Sequence, residues 1–317
     1  MATHQIPLTS PFGAQSTARD VVSGHTLTGK TVIVTGASAG LGVETARALV
    51  GAGARVILPV RSPDKARTNL ADVLDRVVLA SLDLGDFNSI RSFTDQVAAE
   101  GFAVDILINN AGIMATPLRR IESGFESQFA TNHLGHFLLT NRLLPALRRA
   151  GGARVVCLSS IGHRLSPVIF DDIHFKTRDY DKWLAYGQSK TANALFAVEL
   201  DRREAPNGVR AFSVHPGGIM TDLQRDLSMA EMRALGWFDA QGRTPDLFKS
   251  PAQGAATAVW CATSPLLEDL GGVYCEDCNI AAITPPEDRG YTGVRAHAVD
   301  PEAARRLWSV SEPMTGL

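Results

Sequence analysis

The chain has 317 residues, 31 basic and 33 acidic, for a formal charge of −2; that balance excludes a global basic field for nucleic acid or an anionic membrane. No apolar run approaches the roughly 18 to 20 residues that cross a bilayer, and the first thirty residues lack a charged start followed by an apolar block. The expectation is a soluble, cytoplasmic protein of one large α/β domain with small-molecule partners, and four cysteines do not make a disulfide framework.

Residues 1–28 are polar, turn-rich and aperiodic, with Pro7, Pro11, Gly13 and Gly24, and read as an arm ahead of a domain spanning 29–284. Strand-like apolar runs then recur at 31–35, 55–60, 77–82, 104–109, 154–159 and 209–215, with helically spaced segments between them. Near-continuous Val/Ile/Leu strands separated by helices imply a mostly parallel sheet covered on both faces, a doubly wound α/β (Rossmann) fold in a single domain.

The first strand runs into Thr35-Gly36-Ala37-Ser38-Ala39-Gly40-Leu41-Gly42, which opens a helix. Glycines there let the backbone turn tightly and approach a pyrophosphate, while the helix start offers unpaired N–H groups and a partial positive charge. The second strand ends at Arg61, where an acidic residue would accept from an adenosine ribose 2′-OH and repel a 2′-phosphate. Arg instead offers a fork of donors to a phosphate, so NADP(H) is expected over NAD(H). Ser62, followed by Pro63, reads as a helix cap that also reaches toward the phosphate. Pro59 within this strand removes one ladder donor and has no functional reading.

Two stretches break the rhythm: 161–183, and 222–250 with Met229, Met232, Leu235, Trp237, Phe238, Leu247 and Phe248. Both follow strands at their carboxyl ends, where ligands bind in open α/β sheets, and are read as substrate-site walls; a surface lid or dimer contact is the other reading of the second. Between them, Tyr186 and Lys190 stand one helical turn apart, so a phenol and an ammonium can share one cleft. Bringing a Tyr from ~10 to about 7 takes roughly 4 kcal/mol of preferential stabilisation of its anion, part of which a Lys charge can supply. Cys275 and Cys278 have redox or zinc spacing, but no second Cys or His pair accompanies them. They are expected to be unconnected thiols near a strand end, with no metal. The tail, 285–317, reads as a short helix around Leu307-Trp308 with an oligomeric or pocket-closing role.

With these residues assembled, residues 28–282 resemble the short-chain dehydrogenase/reductases. The motifs are the glycine turn, Asp83-Leu84, Asn109-Asn110-Ala111-Gly112, Asn132, Ser159-Ser160, Tyr186 to Lys190, and Pro216-Gly217 through Thr221. The segment 131–140, the long interval from Ser160 to Tyr186, and Asn193 resemble the branch of retinol dehydrogenases and the WW-domain oxidoreductase, and more distantly protochlorophyllide reductases. The resemblance implies that Asp83 and Leu84 meet the adenine and that Asn110, Ala111 and Gly112 flank its ribose. Thr221 and the Ile219 backbone would hold the carboxamide, with Pro216-Gly217 behind the ring. It assigns Tyr186 as proton donor or acceptor, Ser160 as its partner on the substrate oxygen, Lys190 as modulator of Tyr186 and ligand of the nicotinamide ribose, and Asn132 as holder of a relay water. His133 and His136 are not read as a metal pair, because the family carries this segment without metal.

The resulting expectation is NADP(H)-dependent interconversion of a carbonyl and an alcohol on a fairly bulky apolar substrate, with His163, Trp237, Phe238 and Tyr274 as candidate substrate contacts. Reduction of a C=C bond and non-catalytic redox sensing by an NADP(H)-binding protein are the alternatives. Pairing into a homodimer or homotetramer through the helices of Asn132 and Tyr186 is implied by the resemblance.

Overall fold

Eight strands form one sheet in the computed structural model, which describes residues 5–239 and 241–317. They are β1 (Thr31–Val34), β2 (Arg55–Val60), β3 (Val77–Ser81), β4 (Ile106–Asn109), β5 (Ala153–Leu158), β6 (Val209–His215), β7 (Val273–Glu276) and β8 (Asn279–Ile280). The order is β3-β2-β1-β4-β5-β6-β7-β8, parallel throughout except for the antiparallel β7–β8 pair. The direction of strand addition reverses between β1 and β4, which opens a crevice at their carboxyl ends.

The helices are α1 (Ala18–Val22), α2 (Leu41–Gly51), α3 (Pro63–Asn69), α4 (Phe87–Glu100), α5 (Ser127–Phe129), α6 (Gly135–Arg149), α7 (Lys182–Glu204), α8 (Met229–Ala234), α9 (Pro251–Gly254), α10 (Ala256–Thr263) and α11 (Pro301–Thr315). Strand residues alternate between two cores, as a period of two requires. Val32, Val34, Ile106 and Ile108 face the layer containing α1, α2 and α10, whereas Ile33, Leu107 and Val155 face that of α4, α6, α7 and α11. Burial on both sides is why these strands read as unbroken apolar runs.

Pro59 has a physical account. The carbonyl of Val60 accepts from Leu82 on the β3 side, so residue 59 faces the opposite neighbour, β1. The β1–β2 ladder ends at Ile33 and Ile57, and the missing donor leaves no gap in it.

The last hairpin explains the cysteine spacing. Asp277 and Cys278 both have positive φ, 49° and 54°, the backbone of a two-residue turn whose twist matches the strands. Cys275 lies on β7 and Cys278 is the second residue of that turn, and all four cysteines are free and buried. Burial pushes the Cys278 thiol up to about 12. Among the described residues no cluster of His, Cys, Asp or Glu is arranged to hold a metal ion, and no helix is long and apolar enough to cross a membrane.

The described part of the arm is built into the fold. The Gln5 amide donates to the carbonyls of Tyr274 (2.6 Å) and Ala281 (2.7 Å) and accepts from the Tyr274 N–H. Ala18, Val21 and Val22 of α1 are buried, and Thr17 and Asp20 form its capping box. At the other end, α11 lies on α7 and α6, placing the Trp308 ring 4.9 Å from that of Phe137 and 5.8 Å from that of Phe196. A homodimer or homotetramer through α6 and α7 would meet this helix of the same chain first.

Candidate active site

Asp181 starts α7, its carboxylate accepting from the backbone N–H groups of Trp183 and Leu184 at 2.8 Å each. One turn on, Tyr186 and four residues later Lys190 are buried. The end of β5 passes beside them. Ser159 donates to the Lys190 carbonyl at 2.7 Å, and the Lys190 ammonium donates to the Leu158 carbonyl at 2.9 Å. Ser160 caps the turn that follows, accepting from the Gly162 N–H at 3.1 Å. A Cβ on Gly162 would stand 2.8 Å from Cε1 of Tyr186, so only glycine lets the chain lie against the phenol ring.

Burial dominates the electrostatics of this group. It pushes the Tyr186 phenol up to about 12, against an opposing hydrogen bond from Ser160, and the Lys190 ammonium down to about 8. The Lys190 nitrogen lies 5.7 Å from the Tyr186 ring centroid. In the protein alone, the phenol is therefore a protonated acid at neutral pH, and whatever lowers it further must come with the ligands.

Asn132 sits in a π-helical turn, Ala130–Leu134, between α5 and α6, a distortion that recurs at functional sites. Its amide oxygen accepts from the Ile113 N–H and its amide nitrogen donates to the Ile113 carbonyl and to Ser189, all at 2.9 Å. The side chain thus pins the loop after β4 to α7. His136 bonds the Asn132 carbonyl and Thr35, both at 2.9 Å, and burial pushes it down to about 4. His133 is likewise buried, down to about 3, against Ser311. Neither faces the site as a metal ligand.

At the crevice, the turn after β1 is cross-linked to the turn after β4. Thr35 accepts from the N–H groups of Asn110 (2.9 Å) and Ala111 (3.0 Å), and the Asn110 amide returns to the Thr35 carbonyl at 2.8 Å. Gly40 opens α2 without any side-chain cap, leaving helix-terminal N–H groups for an anion. Gly36, Ser38, Ala39, Gly40, Leu41, Arg61, Ser62, Asp83, Leu84 and Gly112 all line one cavity of about 800 Å³. These features fit a dinucleotide: an uncapped helix start, a glycine-rich turn with only small side chains ahead of it, and a cationic strand end. Gly42 lies beneath, where a Cβ would stand 2.6 Å from the Gly36 carbonyl oxygen and 2.7 Å from Cα of Ala37. Both obstacles are backbone. Gly42→Ala is expected to lower stability by about 1–3 kcal/mol and to weaken dinucleotide binding, as thermal unfolding with and without NADPH would show.

The same cavity continues past Tyr186, Lys190, Pro216, Gly217, Ile219 and Thr221. Thr221 caps a short turn, accepting from the Leu223 N–H, and Gln224 donates to the Ile219 carbonyl at 2.8 Å. From the segment 222–250, Leu223, Leu235, Trp237, Leu247 and Phe248 form an apolar wall of the cavity, beside the polar Asp222, Gln224, Arg225, Asp246 and Lys249. Met114, Leu227 and Met232 pack with Tyr186, and Trp183, Trp237 and Phe238 pack around them. The wall is tied at both ends: Lys182 pairs with Glu231 of α8, and the Lys249 N–H donates to the Gly218 carbonyl at 2.8 Å. The Lys249 methylenes lie over Gly217, and its ammonium pairs with Asp277.

Of the candidate substrate contacts, Trp237 lines the cavity and Phe238 backs the wall. His163 and Tyr274 are buried behind it. His163 bonds the Ser160 carbonyl at 2.7 Å through Nδ1, accepts from the Arg295 N–H at 3.0 Å through Nε2, and meets the Tyr274 hydroxyl at 3.2 Å. This pair braces the backbone of Ser160. Lys65 and Lys249, from segments already read as part of the site, also line the cavity, as do Ala14, Gln15 and Glu276, which reach it from distant segments through tertiary packing and carry no sequence signal.

The sequence model described as short chain dehydrogenase matches residues 30–232. A probable oxidoreductase of Streptomyces lividans is 47% identical over 89% of this chain and 96% of its own. Mouse retinol dehydrogenase 12 is 40% identical over 91% and 87%, respectively. A crystal structure of an uncharacterised protein from Mycobacterium paratuberculosis superimposes with a TM-score of 0.74 at 36% identity, covering 95% of this chain and 98% of the other. The chain therefore belongs to the short-chain dehydrogenase/reductase family of oxidoreductases, in its retinol dehydrogenase-like branch.

Proposed function

We propose that this protein is an NADP(H)-dependent oxidoreductase that interconverts a carbonyl and a primary or secondary alcohol on a bulky, mostly apolar substrate. The observation that carries the reading is a single cavity in which the Tyr186, Ser160 and Lys190 group lies between the glycine turn and an apolar wall. Arg61 at the end of β2, with no acidic residue beside it, supports NADP(H).

NADP(H) would supply or remove the hydride. The turn at 36–42 and the start of α2 would hold its phosphates, Arg61 and Ser62 the 2′-phosphate, Asp83 and Leu84 the adenine, and Asn110 to Gly112 the adenosine ribose. Thr221 and Ile219 would hold the carboxamide, with Pro216 and Gly217 beside them. Tyr186 gives its proton to the substrate oxygen during reduction and takes it back during oxidation, while Ser160 donates to the same oxygen as negative charge develops. Lys190, held by the Leu158 carbonyl, provides the positive charge that stabilises the phenolate left behind, and Asn132 fixes the turn through which the proton is replaced. The apolar wall excludes water from the reacting oxygen.

The test is NADPH and NADH oxidation in the dark against ketones and aldehydes from small aliphatics to decalones, steroids and retinal. Turnover of the bulky apolar carbonyls with a preference for NADPH is expected; tight NADPH binding with no carbonyl consumed would sink the reading.

A pH dependence follows from the two shifts. Reduction needs Tyr186 protonated, which burial secures across the neutral range, and Lys190 charged, which holds only below about 8. The kcat/KM for ketone reduction is therefore expected to be level on the acid side and to fall as pH rises through about 8. The descending limb should vanish from the profile of Lys190→Met, whose rate is low at every pH.

A further inference from the structure

Glu276 closes β7 beside His215, its register partner at the end of β6. Its side chain lines the cavity shared by Ser160, Tyr186 and Gly217, yet the residue is only 8% exposed. One carboxyl oxygen, Oε1, accepts from the Gly293 N–H. The other, Oε2, is buried with no hydrogen-bond partner among the described residues. The terminal nitrogens of the neighbouring cations are engaged elsewhere, although Nε of Arg164 is buried without a partner among the described residues. Lys249 pairs with Asp277, and Arg164 donates to the carbonyls of Gly290, Thr292 and Gly293.

A buried carboxyl oxygen without a partner bears its desolvation cost with nothing returned, and a group that arrives from outside is one way to satisfy it. The terminal bond of a Glu side chain rotates softly, so this oxygen can turn toward the cavity. Much of the wall around that space is apolar, with Trp237, Leu247 and Phe248. Burial, reinforced by Asp277 and opposed by the Gly293 N–H, Arg164 and Lys249, pushes the carboxyl up to about 7, so both of its protonation states are accessible near neutrality. A hydroxyl suits either state, because it donates to the anion and accepts from the acid. An ammonium suits only the anion.

We infer that Glu276 is a specificity-determining residue that hydrogen-bonds a second hydroxyl on the substrate, so that the preferred substrates are apolar hydroxyketones and the corresponding diols. The inference rests on the carbonyl–alcohol reading above. It also restricts that reading, since an apolar ketone lacking the hydroxyl leaves Oε2 unmatched.

The experiment compares decalones bearing no hydroxyl, or one at successive ring positions, with the wild-type protein, Glu276→Gln and Glu276→Leu. At least one hydroxylated ketone should be preferred by the wild type about tenfold or more in kcat/KM, with the ratio collapsing toward unity in Glu276→Leu and partly kept by Glu276→Gln. The Gln variant preserves an acceptor for Gly293 and so reads out even where Leu disturbs the turn. No hydroxyl preference in the wild type, or an equal loss on every ketone in both variants, overturns the proposal and leaves Glu276 as an anchor for Gly293. If the wild type reduces none of these ketones, the carbonyl reading has failed instead. Calorimetric affinities of the same compounds for the NADPH complexes of wild type and Glu276→Leu then decide by the same ratio.

Discussion

Replacing Tyr186 with Phe is expected to lower kcat for carbonyl reduction by about 10³-fold while leaving the Kd for NADPH within about threefold. The substitution removes one hydroxyl from a ring that is 4% exposed and packed against Gly162, Met114 and Met232, so the apolar contacts persist. The proton source is lost. Ser160 remains beside the substrate oxygen and can donate a hydrogen bond to it, but its own anion would be far too basic to complete the transfer at neutral pH. Lys190 keeps its bond to the Leu158 carbonyl, which is why the cofactor end should be unaffected. The measurements are pre-steady-state NADPH oxidation and fluorescence titration of NADPH on the same preparation. Retention of more than about a tenth of wild-type turnover would exclude Tyr186 as the general acid.

The parts of this structure legible in the sequence are those set by local periodicity and by ordered motifs. The six strands from 31–35 to 209–215 are all present within a residue or two, because parallel strands buried on both faces must be apolar throughout. The glycine turn and the Tyr186 helix were recognisable for a similar reason: close backbone approach and a shared helical face each leave a fixed spacing. What was not legible depends on long-range packing. The bonds from Gln5 to Tyr274 and Ala281 span more than 260 residues, and nothing in the polar sequence of the arm announces them. His163 was a candidate substrate contact in the sequence, yet its ring is enclosed by Arg295 and Tyr274 from the far end of the chain. The Cys275 and Cys278 spacing has a local cause that sequence alone obscured, since a two-residue turn with both φ angles positive seldom uses Cys.

Substituting Arg61 by Asp is expected to reduce the ratio of kcat/KM for NADPH to that for NADH by about 10²- to 10³-fold. Arg61 is exposed at the end of β2 and lines the cavity with Ser62 and Lys65. Lys65 pairs with Asp222, which leaves Arg61 as the cation best placed for a 2′-phosphate. Hydrogen bonds from a charged group contribute about 1.5–3 kcal/mol, and the new carboxylate would add repulsion against a phosphate while accepting from a ribose hydroxyl. The two effects act in opposite directions on the two cofactors, so the ratio changes more than either constant. Arg61→Lys should fall between, because an ammonium keeps the charge and loses the fork. Salt supplies an independent check: at this exposed position the wild-type preference for NADPH should shrink as ionic strength rises, and the Asp variant should show no such shrinkage. A ratio unchanged within about threefold in Arg61→Asp would remove this residue from the 2′-phosphate site, and the preference would then have to come from Ser62 and the backbone of the glycine turn.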